Sequence, residues 1–208
     1  MGKIHNVEKM TDNRFVNLYH VDATSVHNTP VSYYVASRAK DVPALKLKTG
    51  RNDPDGVIIY SIYGQKKDKV VLVRQYRYTL GDYIYEFPAG LVEPGEDFHE
   101  GAVREMYEET GLKLEPLKVD PAFEKPYFTT VGMTDESCAT VYGYASGEIS
   151  KAAQEDSEEI EIVLADRTEV KRILKEERVA IMCAYMLMHF LKAVSYTHLR
   201  AHETDSYL

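Results

Sequence analysis

The chain has 208 residues, of which 44% are hydrophobic and 28% charged, and these proportions favour a folded globular domain over a disordered or fibrous protein. Its formal net charge of −8 argues against a nucleic-acid-binding surface, which needs a face rich in lysine and arginine. We therefore expect no nucleic-acid partner. An acidic chain suits a cation, or an anionic substrate that binds through a cation.

The sequence predicts no membrane segment and no disulfide. Residues 180–194 are apolar but fall short of the ~20 residues that span a bilayer, and they include His189 and Lys192. Cys138 and Cys183 lie in apolar segments without CxxC or metal-ligand spacing, so we expect buried free thiols. The amino terminus lacks the apolar run of a signal peptide. We expect a cytoplasmic protein with no membrane partner.

The amino-terminal part of the chain is rich in β-branched and aromatic residues, which predict strands. Two such runs, residues 14–23 and 30–39, are separated by a turn-forming segment. We assign residues 1–48 to a small amino-terminal strand subdomain. Residues 55–64 and 69–80 predict two further strands, joined as a hairpin by a short polar segment.

A helix is predicted over residues 97–110, with Gly111 in the position of a C-cap. Its apolar residues recur at three-to-four spacing and predict one stripe that faces a core, formed by Phe98, Ala102, Val103 and Met106. Two strands and two helices are predicted downstream, over residues 136–146, 158–166, 167–177 and 179–194. We assign residues 49–194 to the main domain and interpret residues 195–208, which lack any clear period, as a non-native tail.

The segment 90–112, GLVEPGEDFHEGAVREMYEETGL, holds seven carboxylates and a single arginine, Arg104, with no lysine. Glu105, Glu108 and Glu109 stand at i, i+3 and i+4, which places them within roughly 100° of helical arc. Such carboxylates repel one another unless hard cations lie between them, and oxygen-only ligation suits Mg²⁺ or Mn²⁺. Taken alone, the pattern also fits a solvated acidic surface.

The spacing of this segment resembles the box of the Nudix hydrolases: Gly90, five residues, Glu96, seven residues, then REMYEETGL. With average residue usage, a chance match is on the order of 10⁻⁷. The resemblance implies an α+β fold in which a mixed β-sheet is sandwiched between helices. It also implies a hydrolase that cleaves a nucleoside diphosphate linked to another group, with water attacking phosphorus and divalent metals polarising the phosphoryl oxygens.

The resemblance also implies roles for the residues of the box. By matching position, Glu105 and Glu109 would be the main metal ligands, with Glu108 assisting and the carbonyl of Ala89 completing the shell. Glu105 is therefore also counted among the catalytic residues.

Two further box residues, Glu96 and Arg104, are expected to orient the site rather than to bind metal. An arginine among carboxylates can fix their geometry through bidentate hydrogen bonds.

Residues 73–96, VRQYRYTLGDYIYEFPAGLVEPGE, resemble the ADP-ribose pyrophosphatase and nucleotide-sugar branch of that family. The resemblance implies that Arg77, or in reserve Arg74, contacts phosphate or ribose, and that Glu86 faces the substrate or supports the metal loop. Pairing with a surface acid is the alternative for either arginine. The implied reaction splits ADP-ribose or a related nucleoside diphosphate sugar into a nucleoside monophosphate and a sugar phosphate. The branch also implies a homodimer formed through the amino-terminal strands.

The segment downstream of the box does not decide which nucleotide sugar is the substrate. ADP-ribose enzymes carry a proline about 15 residues beyond the box, and Pro126 lies 14 residues after Leu112. The segment that most resembles theirs is instead residues 127–137, where Val131 takes the place of that proline. The wider class of nucleotide sugars is therefore better supported than ADP-ribose itself.

The branch takes its catalytic base from an acidic loop before a late strand, which here is AAQEDSEEIEIVLAD. This alignment implies that Asp156 is the base and that Glu158 reaches a metal, with Glu155 and Glu159 as rivals; a solvated charged turn is the other interpretation. Two alternative functions are a non-catalytic Nudix-fold nucleotide sensor and a Nudix hydrolase of another nucleoside diphosphate derivative.

Overall fold

The computed structural model describes residues 1–154 and 159–192. The chain divides into two compact units: Met1–Asp55 with Pro126–Cys138, and Gly56–Lys125 with the described residues from Ala139 onward. The predicted tail at 195–208 lies outside the described residues, and the predicted domain boundaries stay predictions.

The described residues form eleven strands, five α-helices and one 3₁₀ helix, Val42–Ala44. The strands are β1 (Lys3–Lys9), β2 (Asn17–Thr24), β3 (Pro30–Ser37), β4 (Gly56–Tyr63), β5 (Lys69–Arg77), β6 (Asp82–Glu86), β7 (Ala89–Leu91), β8 (Lys113–Pro116), β9 (Tyr127–Phe128), β10 (Ser137–Ser146) and β11 (Ile160–Ala165). The helices are α1 (Lys46–Thr49), α2 (Phe98–Thr110), α3 (Pro121–Glu124), α4 (Arg167–Glu176) and α5 (Ile181–Lys192).

The first unit is built on an antiparallel sheet with the order β1-β2-β3. One face of that sheet is buried in a small core formed by Val7, Tyr19, Val21 and Leu45. Lys46, at the start of α1, fixes the end of the unit: its ammonium donates to the Asp55 carboxylate at 2.6 Å, to the Asp53 carbonyl at 2.8 Å and to the Ser137 hydroxyl.

The second unit is organised around a sheet with the strand order β11-β5-β4-β10-β8, with β6 paired to β5 and β7 paired to β4. Successive residues of a strand point to opposite faces, and β5 shows this directly. Val70 and Leu72 belong to a core shared with α4 and α5, whereas Val71 belongs to a core shared with α2. The sheet is thus sandwiched between helices, and the predicted α+β class is confirmed.

Helix α2 begins one residue after the predicted start, with Asp97 as its N-cap, and ends at Thr110 as predicted. The Asp97 carboxylate accepts a hydrogen bond from the backbone N–H of His99 at 2.9 Å, and Gly111 adopts a φ of 73° in the left-handed region that suits glycine. Ala102 and Met106 are fully buried, but Val103 is 40% exposed, so the prediction that Val103 faces the core is wrong. One residue turns the helix by about 100°, which carries Val103 off the stripe at i, i+4.

Two further observations concern the helices and the cysteines. No helix in the described ranges is long and apolar enough to cross a membrane. Both cysteines are free thiols, as predicted. Cys183 is buried and Cys138 is half-buried; burial raises the pKa of Cys183, and it raises that of Cys138 to about 11.

Candidate active site

The carboxylate of Glu105 lies directly over the backbone of β7. A Cβ atom added at Gly90 would stand 1.9 Å from Cδ of Glu105 and 2.1 Å from its Oε1, far inside any allowed contact. Gly90 is therefore required because the helix side chain approaches the strand backbone, and its φ is not positive. This close approach joins the start of the box to its helix.

Glu109 is a buried carboxylate at the same strand. Its side chain is only 3% exposed, and its Oε2 accepts a hydrogen bond of 3.2 Å from the backbone N–H of Ala89. Burying a carboxylate is costly unless the charge is compensated, so a buried glutamate at a strand end is a strong indication of a functional role. The strand β7 thus contacts two of the predicted ligands, Glu105 and Glu109.

Arg104 binds three carboxylates of the box, those of Glu96, Glu105 and Glu108. Its Nε and Nη2 bind the two oxygens of Glu96 at 3.0 Å each, and Nη2 also donates to the carbonyl of Leu91 at 3.0 Å. Its Nη1 donates to Glu105 Oε1 at 2.7 Å and to Glu108 Oε2 at 2.9 Å. We call Arg104, Glu96, Glu105 and Glu108 the Arg104 cluster.

These contacts shift the pKa values of Glu96 and Arg104. The hydrogen bonds from Arg104, followed by one from the backbone N–H of Glu93, lower the pKa of Glu96 from its usual value. The hydrogen bonds to Glu96, and then those to Glu105 and Glu108, raise the pKa of Arg104. Both groups are therefore charged at neutral pH.

The donor set fits a hard divalent cation. The predicted ligands offer only oxygen, and the buried Glu109 and the close approach at Gly90 bring two of them to β7. Within the described part of the chain, no group of three or more His, Cys, Asp or Glu side chains is arranged to hold a metal ion. Glu105 and Glu108 each accept a hydrogen bond from Arg104.

Arg77 and Glu86 lie on the face of the sheet that carries α2. Glu86 pairs in register with Val73, and Arg77 is four residues further along β5, so both share the face of Val71, which packs in the core under α2. The guanidinium of Arg77 contacts Glu86 Oε2 through Nε and Nη2, both at 2.7 Å. The structure thus brings together two of the residues predicted to bind substrate.

Arg74 lies on the opposite face, with Leu72 and the core of α4 and α5. It pairs with Glu161 on β11 at 3.0 Å, and its guanidinium stacks over the ring of Tyr83 at 4.1 Å from the centroid. The structure does not bring Arg74 to the face of the box helix.

The predicted base loop is described only at its two ends. Asp156, Glu158 and Glu155 lie outside the described residues. The carboxylate of Glu159 accepts a hydrogen bond from the hydroxyl of Tyr83, beside Arg74.

Sequence reasoning missed Gln154, at the start of the same loop. Its Nε2 donates to the main-chain carbonyl of Glu109 at 2.6 Å, which ties the loop to the last turn of α2. No local pattern marks this contact, because it joins residues that are far apart in sequence.

Pro126 and Val131 both belong to the first unit. The carbonyl of Pro126 accepts a hydrogen bond from Asn52 at 3.0 Å, and Val131 is 71% exposed. Which of the two corresponds to the proline of ADP-ribose enzymes stays a matter of prediction.

Comparison with known families identifies the class of protein to which this fold and site belong. Residues 53–183 match the model of the NUDIX domain, which covers more than half of the chain. The chain therefore belongs to the NUDIX domain family, and the predicted family is confirmed.

Individual relatives agree with the predicted branch. Putative nudix hydrolase 2 of Caenorhabditis elegans is 35% identical over 129 residues, covering 62% of this chain and 54% of the relative. The ADP-sugar pyrophosphatase of Mus musculus is 49% identical over 53 residues, covering 26% of this chain and 24% of the relative. The chain thus spans about half of the first relative and a quarter of the second.

A solved structure supports the fold. The crystal structure of an ADP compounds hydrolase superposes with a TM-score of 0.66 and covers 92% of this chain and 94% of its own, at 18% sequence identity. At this identity the likeness concerns the fold, and the predicted Nudix fold is confirmed.

Proposed function

We propose that this protein is a Mg²⁺-dependent hydrolase that splits ADP-ribose, or a related nucleoside diphosphate sugar, into a nucleoside monophosphate and a sugar phosphate. The observation that carries the proposal is the contact of Glu105 and Glu109 with β7, next to the arginine that binds Glu96 and Glu108. The name of the mouse relative, an ADP-sugar pyrophosphatase, supports the choice of substrate class.

Glu105, Glu108, Glu109 and the carbonyl of Ala89 would hold the cation, Mg²⁺ or Mn²⁺, with Glu158 as an additional ligand from the acidic loop. When bound, the cation polarises a phosphoryl oxygen and stabilises the charge that develops on the leaving phosphate. The excess of carboxylates over cationic groups in the box supports this assignment, because Arg104 is the only lysine or arginine between positions 90 and 112.

The remaining chemistry falls to the side chains of the chain itself. Arg77 binds a phosphate oxygen of the substrate, and Glu86 holds its guanidinium on the face of the sheet that carries α2. Asp156 takes the proton of the attacking water, the water oxygen bonds to phosphorus, and the bridging P–O bond breaks. The leaving group is the sugar phosphate or the nucleoside monophosphate, according to which phosphorus is attacked.

The proposed enzyme is a homodimer formed through its amino-terminal strands. The first unit exposes several large apolar side chains that an interface would cover: Ile4, Met10, Phe15, Val16 and Leu18. Sedimentation equilibrium of the full chain tests this, with a dimer expected and a monomer at micromolar concentration contradicting it. Cytoplasmic location and the lack of a nucleic-acid partner stay predictions from composition.

An activity assay tests the proposal. The full chain is incubated with ADP-ribose, MgCl₂ and an alkaline phosphatase, and the released phosphate is compared with that from a panel of other nucleotide sugars. We expect release that requires both the protein and Mg²⁺. A protein that binds Mg²⁺ and ADP-ribose without turning over any member of the panel would instead be the non-catalytic sensor. Hydrolysis of other nucleoside diphosphate derivatives alone would show that the substrate is not a nucleotide sugar.

A further inference from the structure

The guanidinium of Arg104 makes two sets of contacts that differ in kind. One set binds Glu96 through Nε and Nη2, and the Leu91 carbonyl through Nη2. The other set, through Nη1 alone, holds Glu105 and Glu108. The first set contacts no predicted metal ligand, whereas the second contacts two.

The first set is firmly anchored. Glu96 is mostly buried, accepts a further hydrogen bond of 2.9 Å from the backbone N–H of Glu93, and lies 3.0 Å from the place that a Cβ at Gly101 would take. A bidentate arginine–carboxylate pair fixes the plane of the guanidinium. Glu96 and the Leu91 carbonyl therefore anchor Arg104 independently of Nη1.

The second set occupies the same carboxylate oxygens that a metal needs. Nη1 is 2.7 Å from Glu105 Oε1 and 2.9 Å from Glu108 Oε2, so its protons lie where a cation would accept those lone pairs. A positive charge this close also opposes the approach of a divalent cation by direct repulsion.

We propose that Arg104 is an internal counter-cation that competes with the divalent metal for Glu105 and Glu108. It neutralises these glutamates in the metal-free protein and lowers the affinity of the site for metal. The proposal rests on the proposed metal site. It differs from a purely orienting role for Arg104, which requires that removing the arginine weakens metal binding.

The two roles are separated by measuring metal affinity rather than turnover. Isothermal titration calorimetry with MgCl₂, at about 0.15 M ionic strength to keep screening constant, compares the full-length wild type with Arg104→Met. We expect the dissociation constant for Mg²⁺ to fall by about tenfold in the variant, while its melting temperature without metal falls because the carboxylates lose their counter-charge. A dissociation constant that is unchanged or higher in Arg104→Met overturns the proposal.

Arg172→Met is the matched control. The side chain of Arg172 on α4 is 37% exposed, compared with 29% for Arg104. Arg172 pairs with Glu169 and Glu177, and neither is a predicted metal ligand. This variant is expected to keep the affinity of the wild type for Mg²⁺. A tenfold gain in Arg172→Met as well would assign the effect to net charge alone and overturn the local competition.

The outcomes also distinguish this inference from the proposed function. Wild type that binds no Mg²⁺ overturns both the metal site and the competition. Wild type that binds Mg²⁺ and hydrolyses ADP-ribose, with a weaker-binding Arg104→Met, overturns the competition alone.

A second measurement uses the wild type and does not depend on the folding of a variant. A crystal grown with MgCl₂ is expected to retain the Arg104 contacts to Glu96 and to lose the contact from Nη1 to Glu105. Retention of both Nη1 contacts beside a bound cation overturns the proposal.

Discussion

Arg104 on α2 and Arg172 on α4 make ion pairs of the same form. Each guanidinium binds one glutamate through Nε and Nη2, Glu96 for Arg104 and Glu169 for Arg172. Nη1 then reaches Glu105 and Glu108 in the first case and Glu177 in the second. We call Arg172, Glu169 and Glu177 the Arg172 cluster. The similarity shows that gathering acids around an arginine does not by itself mark a functional site.

The surroundings distinguish the two clusters. In the Arg172 cluster the principal partner, Glu169, is 36% exposed and lies one turn before the arginine on the same helix. In the Arg104 cluster Glu96 and Glu105 are each 15% exposed, and Glu109 beside them is buried at β7. Exposed pairs contribute little to stability, so we expect the Arg172 cluster to add little, whereas water compensates the charges of Glu96 and Glu105 less well.

The largest expected effect is in catalysis, at Glu109 beside the Arg104 cluster. Glu109→Gln removes the charge of the buried ligand and is expected to lower kcat by about 100-fold or more, because loss of a ligand exceeds the usual effect of losing its supporting contacts. Glu169→Gln is the control and should keep the activity of the wild type. Both are compared by steady-state hydrolysis of ADP-ribose, and full activity in Glu109→Gln would show that the ligand assignment is wrong.

A second test concerns the close approach at β7. Gly90→Ala places a methyl group 1.9 Å from Glu105 Cδ, so either the strand or the glutamate must shift. Such overpacking costs about 1–3 kcal/mol, and we expect the free energy of unfolding in urea to fall by that amount. Gly132→Ala is the control, because no described atom lies within 4 Å of its added Cβ. Equal stability of the two variants would contradict the close approach.

The pH dependence of stability provides a third test. Arg104 lowers the pKa of Glu96 in the folded protein from the unfolded value of 4.5. A lowered pKa adds stability that is present above the unfolded pKa and is lost as the pH falls through the folded pKa. The melting temperature of the wild type is therefore expected to exceed that of Glu96→Gln near pH 7 and to converge with it in acid. A difference that persists unchanged down to pH 2 would contradict this linkage.

The smallest expected effect lies away from both clusters, in the core between the sheet and α2. The Ser61 hydroxyl is buried and has no hydrogen-bond partner among the described residues. Ser61→Ala removes an unsatisfied group and is expected to raise the free energy of unfolding by about 1 kcal/mol in urea denaturation. Ser137→Ala, which loses the contact with Lys46, is the control and should be less stable than the wild type.

Patterns among neighbouring residues predicted helix α2 and strands β4 and β5. The cap at Asp97 and the C-cap at Gly111 lie within one turn of the helix they bound, and β4 and β5 carry continuous apolar runs. The strand β1 went unnoticed because its sequence, KIHNVEK, buries a single apolar residue, Val7. A strand held mainly by backbone pairing with its neighbour leaves little trace in side-chain pattern.

The sequence predicted the parts of the site whose residues lie close together along the chain. The box placed Glu96, Arg104 and Glu105 in one segment, and the structure brings them into direct contact. The resemblance favoured Arg77 over Arg74 from the sequence alone, but the face of the sheet on which each arginine lies needed the register of β5 with β6. The contact of Gln154 with Glu109 joins residues 45 positions apart, and no local signal could predict it.

The close contact at Gly90 also determines which segment could be grafted onto another protein. Because Glu105 rests on the backbone of β7 and Glu109 binds the N–H of Ala89, the acidic helix cannot form this arrangement by itself. A designer who grafted α2 alone onto another scaffold would obtain a repelling acidic surface. The smallest portable unit runs from Ala89 to Gly111, strand and helix together.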